Sequence, residues 1–326
     1  MLTFTCNLCG TSNTVEAIPW ETPTCSGCGS NVRMRAIIYM LALELFGEAR
    51  LLPEFPQYDN VKAFGMSDAH CYALPLAEKI NYTNTFYDRE PYLDITVPHP
   101  DQYGAYDFIL SSDVFEHVAP PVERAFEEAF RLLKPNGFLC ITVPSVIADQ
   151  TVEHYPELHQ YSVVELTGEH VLINRKKDKT LEIYGNLVFH GGIGTTLEMR
   201  LFSQADLVRK LRAAGFSDVV LQMEPVERFG IVFDGPWSRP LVARKQPYPK
   251  ICVSALPTKN EIISRAEHQA EPKTGGDARL AHLYKEKAAL EERLERVEKQ
   301  LRLAAGSRWL GLGRRLGLGP NLERYK

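Results

Sequence analysis

The sequence predicts an α/β fold with a doubly wound, mostly parallel sheet, preceded by a cysteine-rich unit and followed by a long helix. Three observations support this prediction. Short apolar runs alternate with helical patterns between about 60 and 145, as in parallel strands joined by helices. Two C-x-x-C pairs lie within the first 28 residues, and apolar residues recur at heptad spacing between 280 and 301, which indicates a coiled coil.

The composition is typical of a globular protein. The chain has 326 residues, of which 44% are hydrophobic and 24% are charged, so it can bury a sizeable core. A net charge of −4 gives no general attraction to nucleic acids or anionic membranes. Because the sequence shows neither a membrane-length apolar run nor a secretion signal, we expect a cytoplasmic protein with reduced thiols.

The four N-terminal cysteines predict a structural zinc site. "CNLCG" (6–10) and "CSGCG" (25–29) each place two residues between their cysteines, which lets both sulfurs reach one ion, and the following glycine relieves a tight turn. The ligands would be Cys6, Cys9, Cys25 and Cys28, in a zinc ribbon over residues 1–35. The alternative is a pair of redox dithiols, which usually lie near a βαβ pattern that is absent here.

The charge of the N-terminal region argues against a nucleic-acid partner. Residues 1–50 contain three arginines and four glutamates, whereas binding to phosphates requires a basic face. We therefore favour a ribbon that braces the next domain, and we favour no nucleic acid as a partner.

The elements of the main domain, predicted over residues 36–247, follow in order. Residues 31–47 form a helix that ends at Gly47. Strands are predicted at "NVKAFGM", "NTFYD", "YDFILSS" and "GFLCITVP", and helices at "HCYALPLAEKI" and "PPVERAFEEAFRLL". Their alternation predicts parallel strands with helices on both faces of the sheet.

The second half of the domain departs from this alternation. An insertion at about 150–200 contains a β-hairpin with "KKDK" as its turn. A helix follows at 203–216, with Ser203 as its N-cap. The late strands "SDVVLQME" and "RPLVARK" would form a hairpin at the end of the sheet and leave one antiparallel pair.

The remaining chain divides into three predicted segments. Residues 248–277 are Pro-rich and polar, as in a linker. Residues 278–304 carry a heptad seam of about three repeats, which predicts a coiled coil and a homo-oligomer; a lone solvated helix is the alternative. The basic, glycine-rich tail at 305–326 could contact a membrane surface or a partner protein, or could be disordered without function.

A polar cluster follows the strand in "YDFILSSDVFEHV" (106–118). In an open parallel sheet, ligands bind beyond the carboxyl ends of the strands. The cluster is therefore expected to face a ligand crevice.

The stretch "YDFILSSDVFEHVAPPVERAFEEAFRLLKPNGFLCITVPS" (106–145) resembles class I S-adenosylmethionine-dependent methyltransferases of the type 11 kind. The match is specific over these residues and looser over about 60–245. It implies a Rossmann-like fold, S-adenosylmethionine as cofactor and methyl transfer as activity.

The resemblance also implies a set of cofactor-binding residues. The first loop, "VKAFGMSDA" (61–69), has Ser67 and Asp68 where the family usually has more glycine. Acids after the second strand would meet the ribose and the adenine, although they could be plain loop residues, and Gly65 could be a simple turn glycine. The implied residues are Phe64, Gly65, Ser67, Asp68, Tyr87, Asp88, Asp94, Ile95, Ser111, Ser112 and His117.

The insertion supplies two candidates for a catalytic base. His190, in "FHGGIG", is our first candidate and His154 the second; a structural, hydrogen-bonded histidine is the alternative for each. The resemblance extends to bacterial proteins of cell-surface glycan assembly, which implies a sugar or glycan hydroxyl as acceptor. The alternatives are a ribosomal RNA methyltransferase with a zinc ribbon and a non-catalytic methyltransferase-fold scaffold.

Overall fold

The structure, a computed structural model, describes residues 1–190, 196–233, 235 and 238–246, apart from the side chain of Asp59. The chain divides into one compact unit of residues 1–253 and another of residues 254–326. The predicted linker (248–277), coiled coil (278–304) and basic tail (305–326) lie outside the described residues.

The described part of the chain contains sixteen strands, four α-helices and four short 3₁₀ turns. The strands are β1 (Leu2–Thr5), β2 (Ser12–Val15), β3 (Tyr58–Met66), β4 (Ile80–Thr85), β5 (Tyr106–Ser112), β6 (Leu133–Thr142), β7 (Ser145–Val146), β8 (Val152–Glu153), β9 (Gln160–Leu166), β10 (Glu169–Arg175), β11 (Leu181–Tyr184), β12 (Phe189–His190), β13 (Thr196–Leu197), β14 (Arg200–Ser203), β15 (Asp218–Leu221) and β16 (Leu241–Arg244). The helices are α1 (Val32–Phe46), α2 (His70–Lys79), α3 (Glu123–Leu132) and α4 (Gln204–Ala213), and the turns are Leu52–Glu54, Pro100–Gln102, Phe115–His117 and Glu227–Phe229.

The central sheet has six strands in the order β15-β16-β6-β5-β3-β4. The strands β4, β3, β5 and β6 are parallel, as predicted. The sequence predicted one antiparallel pair at the end of the sheet, and the structure has two. The difference arises because β16 lies between β6 and β15 and is antiparallel to both.

Helices cover both faces of this sheet. Helices α1 and α2 pack with one apolar cluster, and α3 and α4 pack with a second cluster on the opposite side of the strands. The predicted end and cap are present: Gly47 ends α1 in the left-handed conformation, and Ser203 caps α4. The structure adds Asn31 as the N-cap of α1. Of the helices in the described residues, none has the length and apolarity needed to cross a bilayer.

The second strand of the sheet ends earlier than the sequence predicted. Strand β4 ends at Thr85, whereas "NTFYD" placed the strand over 84–88. Residues 86–105, all of them described, then lead to β5 with the turn Pro100–Gln102 as their regular structure. Tyr87 and Asp88 therefore lie in a loop beyond the sheet.

The N-terminal region forms a two-stranded antiparallel hairpin, β1–β2, followed by a second cysteine-bearing turn. Its residues do not have a core of their own. Phe4, Cys6 and Leu8 belong to the same buried cluster as Phe108 of β5 and Cys140 of β6. The hairpin is thus packed against the main domain, as a bracing role requires.

The insertion between β6 and α4 forms small sheets of its own. Strands β9, β10 and β11 are antiparallel, and the turn between β10 and β11 falls at 176–180, as predicted from "KKDK". A separate apolar cluster contains Tyr155, Leu172, Leu197 and Met199. The short pair β12–β13 brings His190 opposite Thr196.

Gly65, in β3, lies beneath a buried carboxylate. Asp68 is 4% exposed and accepts hydrogen bonds from the hydroxyls of Tyr72 (2.7 Å) and Tyr82. Burial raises the pKa of Asp68 to about 6, although the two tyrosine hydrogen bonds oppose the shift. A Cβ atom at Gly65 would overlap the Asp68 carboxylate and the Tyr82 hydroxyl.

We predict that Gly65→Ala destabilises the protein by at least about 2 kcal/mol, since the added methyl must displace a side chain that two hydrogen bonds hold in place. Gly185→Ala is the matched control, because no atom lies within 4 Å of the Cβ position there. It should change the free energy of unfolding by less than about 0.5 kcal/mol. Urea unfolding of both variants measures the difference, and equal stabilities would contradict the packing described for Gly65.

Candidate functional site

The four N-terminal cysteines form one compact cluster. All four sulfurs of Cys6, Cys9, Cys25 and Cys28 lie within 4.8 Å of one another. The Sγ atoms of Cys6 and Cys28 are 3.7 Å apart, and those of Cys9 and Cys25 are 3.5 Å apart. Four sulfurs at about 2.3 Å from one tetrahedral ion are about 3.8 Å apart. The cluster therefore fits a structural zinc ion.

Polar side chains and a fifth thiol surround this cluster. Ser30 Oγ and Thr11 Oγ1 lie 3.2 Å from the sulfurs of Cys6 and Cys9, respectively. Cys71, from the first turn of α2, interacts with the thiol of Cys28 and contacts Met34 Sδ at 3.7 Å. Groups of this kind would orient the four sulfurs around a bound zinc ion.

A cavity of about 830 Å³ lies at the carboxyl ends of β3, β5 and β6. This is the edge of the sheet where ligands bind in open α/β folds. The sheet contributes Ser67, Ser112, Asp113 and Pro144 to its wall. Other parts of the wall come from the ribbon region, from α1 and α2, and from the insertion.

In the first loop, Ser67 adopts a backbone conformation that glycine usually adopts. Ser67 has a φ of +54°, in the left-handed region that glycine favours, and its side chain lines the cavity. Gly65 and Asp68, also predicted to bind the cofactor, form the buried tyrosine network instead of the cavity wall. Phe64 packs in the core, with its ring at 4.7 Å from that of Tyr106.

The residues predicted for the ribose and the adenine lie outside this cavity wall. Tyr87 is 69% exposed, and the carboxylate of Asp88 is directed to solvent beside Arg89. Asp94 accepts hydrogen bonds from the backbone and side chain of Thr96, which makes it a loop cap. Ile95 is buried in the core. Their contacts with a cofactor remain predictions.

The three residues predicted for the methionine end are placed differently from one another. Ser112 lines the cavity and contacts Thr142 Oγ1 at 3.2 Å. Ser111 is fully buried, and its hydroxyl has no hydrogen-bond partner among the described residues. The His117 ring is half-buried behind the wall, with Nδ1 at 2.9 Å from the carbonyl oxygen of Leu197.

Arg33 is a cavity residue that sequence reasoning missed. Its Nε lies 3.0 Å from Asp113 Oδ2 and 3.1 Å from Glu21 Oε1. Its Nη1 donates a hydrogen bond to the hydroxyl of Ser112. It lies on α1, near the ribbon and 79 positions from Ser112 along the chain. A local pattern such as "NVRMR" carries no signal for so distant a contact. Trp20 and Glu21 were missed for the same reason.

Asp113 has a strained backbone and an unusual charge environment. Its φ is +53°, and its carboxylate accepts a hydrogen bond of 2.9 Å from Thr142 Oγ1. Burial raises the pKa of Asp113, and the charge of Arg33 opposes that shift. Strain and a shifted carboxyl in one cavity-lining residue are typical of a functional site.

The insertion brings a chain of histidines and glutamates to the same cavity. His190, which lines the cavity, lies 2.9 Å from Glu198 through Nε2 and 3.5 Å from Glu116 through Nδ1. His154 contacts Glu198 from the other side at 2.8 Å. The two predicted base candidates therefore share one glutamate, but His190 is the one that reaches the cavity.

The contacts among these histidines and glutamates shift their pKa values. Contacts with Glu116 and Glu198 raise the pKa of His190 to about 10. Burial opposes ionisation of Glu198, but hydrogen bonds from His154 and His190 outweigh it and lower the pKa of Glu198 to about 2. Burial raises the pKa of Glu116 to about 8. Neither Glu116 nor Glu198 was among the predicted site residues.

A protein-family model described as a methyltransferase domain matches residues 49–221, more than half of the chain. The chain belongs to this family. It is a methyltransferase, and the cavity lies at the edge of the sheet that the matched residues form.

Solved structures resemble this methyltransferase only distantly. The CMeT domain of the citrinin polyketide synthase is 14% identical, with a TM-score of 0.37; the match covers 66% of this chain and 52% of that one, so this chain spans about half its length. The 1,6-didemethyltoxoflavin-N1-methyltransferase of Burkholderia thailandensis, bound to its substrate and S-adenosylhomocysteine, is 15% identical, with a TM-score of 0.36 and coverage of 66% and 78%. A methyltransferase of Mesorhizobium loti is 12% identical, with a TM-score of 0.37 and coverage of 58% and 93%. Likeness at this level identifies no substrate.

We predict that Cys28→Ser lowers the zinc content of the purified methyltransferase by one ion per chain and lowers its melting temperature, because the closed site loses a ligand. Cys71→Ser is the matched control, since its thiol lies beside Cys28 but outside the quartet. It should retain the zinc content of the unmodified chain. Elemental analysis measures both variants, and equal zinc in the two would contradict the assignment.

Proposed function

We propose that this methyltransferase transfers a methyl group from S-adenosylmethionine to a hydroxyl group of a sugar or cell-surface glycan precursor. The observation that carries the proposal is the polar, charged cavity at the carboxyl ends of β3, β5 and β6. This cavity belongs to a chain with a methyltransferase domain, and acids, an arginine and hydroxyl groups line its wall.

The cavity wall fits the charges of the proposed donor. S-adenosylmethionine supplies an electrophilic methyl group and carries a carboxylate, an ammonium group and a sulfonium. The Arg33 guanidinium suits the carboxylate, because charge-assisted hydrogen bonds to arginine are strong and directional. The carboxylates of Asp113 and Glu21 suit the positive groups. The left-handed backbone at Ser67 supports close approach of the ligand to the first loop.

The same cavity favours a small polyhydroxylated acceptor. Its volume of about 830 Å³ is within the range of pockets that take small molecules. Hydroxyl groups need both donors and acceptors around them, and Glu21, Asp113 and Ser238 supply these beside the ring of Trp20. The resemblance of the chain to proteins of glycan assembly also supports a sugar. A ribosomal RNA acceptor is disfavoured, because glutamates outnumber arginines in residues 1–50 and RNA binding requires a basic face.

The acceptor hydroxyl must lose its proton during methyl transfer. Two groups at the cavity wall, His190 and Asp113, are candidates to receive this proton. His190 was the first candidate from the sequence, but its two ring nitrogens already face glutamates, Glu198 at 2.9 Å and Glu116 at 3.5 Å. Asp113 has a carboxylate at the cavity wall and a raised pKa, which suits a general base. We propose that Asp113 accepts the proton and that His190 positions the acceptor oxygen. His154 would act through Glu198, as a positioning residue.

We predict that the full chain binds S-adenosylmethionine and that Arg33→Met weakens this binding at least tenfold, because the carboxylate loses its charged partner. Arg50→Met is the matched control, since Arg50 pairs with Glu48 on the surface, away from the cavity. Isothermal titration calorimetry gives the dissociation constants. The proposed donor is rejected if the unmodified chain shows no binding at millimolar concentrations.

A screen with radiolabelled S-adenosylmethionine identifies the acceptor class. Label is expected in nucleotide sugars or glycan fragments rather than in ribosomal RNA. Transfer to RNA alone would overturn the glycan proposal while leaving the methyl donor in place.

We predict that His190→Gln lowers turnover about 100-fold or more and changes the dissociation constant of S-adenosylmethionine less than fivefold, since His190 lies on the acceptor side of the cavity. His99→Gln is the control, because His99 is exposed and its side-chain polar contacts within the described part of the chain are with the nearby Asp101. Steady-state kinetics on the acceptor found in the screen measure the effect. An unchanged turnover would remove His190 from the reaction.

A further inference from the structure

We propose that Glu116, His117 and His190 bind one divalent transition-metal ion at the edge of the cavity. We further propose that this ion holds the acceptor oxygen, and this second part rests on the proposed function. The ligand atoms of the three residues lie within 4.8 Å of one another. The site is separate from the cysteine quartet and uses nitrogen and oxygen in place of sulfur.

The distances within the triad are those of ligands on a common ion. Glu116 Oε1 lies 3.6 Å from His117 Nε2 and 3.5 Å from His190 Nδ1. Both separations exceed the usual length of a hydrogen bond, which is about 2.7–3.2 Å. Two ligand atoms that each lie about 2.1 Å from a tetrahedral ion are about 3.4 Å apart. One ion beside Oε1 would therefore reach both rings.

The second nitrogen of each ring has a partner of the type found behind metal ligands. His117 Nδ1 lies 2.9 Å from the carbonyl oxygen of Leu197, so Nδ1 carries the proton and Nε2 presents a lone pair towards Glu116. His190 Nε2 lies 2.9 Å from Glu198 Oε2. A metal-binding histidine usually donates its other N–H to a carbonyl or a carboxylate. Both histidines follow this rule.

Glu116 is the independent sign that a cation is needed. Its side chain is fully buried, and neither carboxylate oxygen has a hydrogen-bond partner among the described residues. A buried carboxyl group without a hydrogen-bond partner is costly whether or not it is ionised. Arg200 instead pairs with Glu153 at 2.7 Å and donates to the backbone oxygens of Phe115 and Val118 at 2.9 and 2.6 Å. A metal ion in front of Oε1 would satisfy the charge.

A protonated His190 between Glu116 and Glu198 explains less of this geometry. It would place Nδ1–H within hydrogen-bond distance of Glu116, whereas the separation is 3.5 Å. It would also leave unexplained why a second ring, His117, directs its lone pair at the same carboxylate oxygen. An ion with three ligands accounts for both observations.

The position of the triad connects the ion to the cavity. The His190 side chain is 34% exposed and lines the cavity, while Glu116 closes the site from the protein interior. Coordination positions on the cavity side would remain for an acceptor oxygen. Two imidazoles and one carboxylate suit Zn²⁺, Mn²⁺, Fe²⁺ or Co²⁺. Such an ion lowers the pKa of a bound hydroxyl and assists its deprotonation.

The test is metal analysis of the full chain with matched variants. Protein equilibrated with Zn²⁺ and freed of excess metal should contain two ions per chain. Glu116→Gln and His117→Gln should each contain one, whereas His99→Gln should keep two. Co²⁺ added to protein whose quartet holds zinc should give visible d–d bands without thiolate charge transfer. These bands should disappear in both triad variants.

Two outcomes overturn the metal site: one ion per chain in the unmodified protein, or two ions in both triad variants together with unchanged Co²⁺ spectra. The Co²⁺ titration of the unmodified chain decides the matter even where a variant misfolds.

The proposed function is tested separately, because binding of S-adenosylmethionine is measured without an acceptor. Two bound ions with no affinity for S-adenosylmethionine would uphold the metal site and reject the donor. Full methyl transfer after loss of the second ion would reject the role of the ion in holding the acceptor.

Discussion

The buried guanidinium of Arg35 joins three parts of the protein. The side chain is fully buried on α1 and donates to the carbonyl oxygens of Ser30 and Gly230 at 2.8 and 2.9 Å. A further bond of 3.0 Å reaches Thr24 Oγ1, and the guanidinium lies 4.6 Å from the centre of the Phe4 ring. The N-terminal cysteine-bearing region, α1 and the loop before β16 therefore share one charged group.

No carboxylate among the described residues pairs with Arg35, so this buried guanidinium needs negative charge from another group. Burial lowers the pKa of Arg35, and the nearby thiols of the cysteine quartet oppose the shift when ionised. A zinc ion with four thiolates carries a net charge of −2, so a metal-loaded ribbon would balance the guanidinium. The position of α1 then determines where Arg33 lies, two residues earlier, between Glu21 and Asp113. The first turn of α1, which carries both Arg33 and Arg35, thus connects the N-terminal cysteine-bearing region with the cavity.

Sequence reasoning located the features that local spacing encodes. The C-x-x-C pairs, the caps of α1 and α4 and the turn of the β10–β11 hairpin depend on neighbours a few residues apart, and the structure contains them. The order of β16 in the sheet depends on which edge a late strand reaches, and periodicity carries no information about that choice. The first loop shows the same limit. "GMSD" looked like a poor glycine loop, but Ser67 adopts the glycine-like backbone and Asp68 fills the space above Gly65.

The wall of the cavity on the insertion side is supported by its own apolar cluster, around Tyr155, Leu172 and Met199. His190 lies in β12 and Glu198 directly follows β13, whereas Ser67 and Asp113 directly follow the sheet strands β3 and β5. Different sides of the cavity wall are therefore supported by separately packed apolar clusters. Substitutions in the insertion can therefore reshape one side of the cavity while the packing of the central sheet stays unchanged.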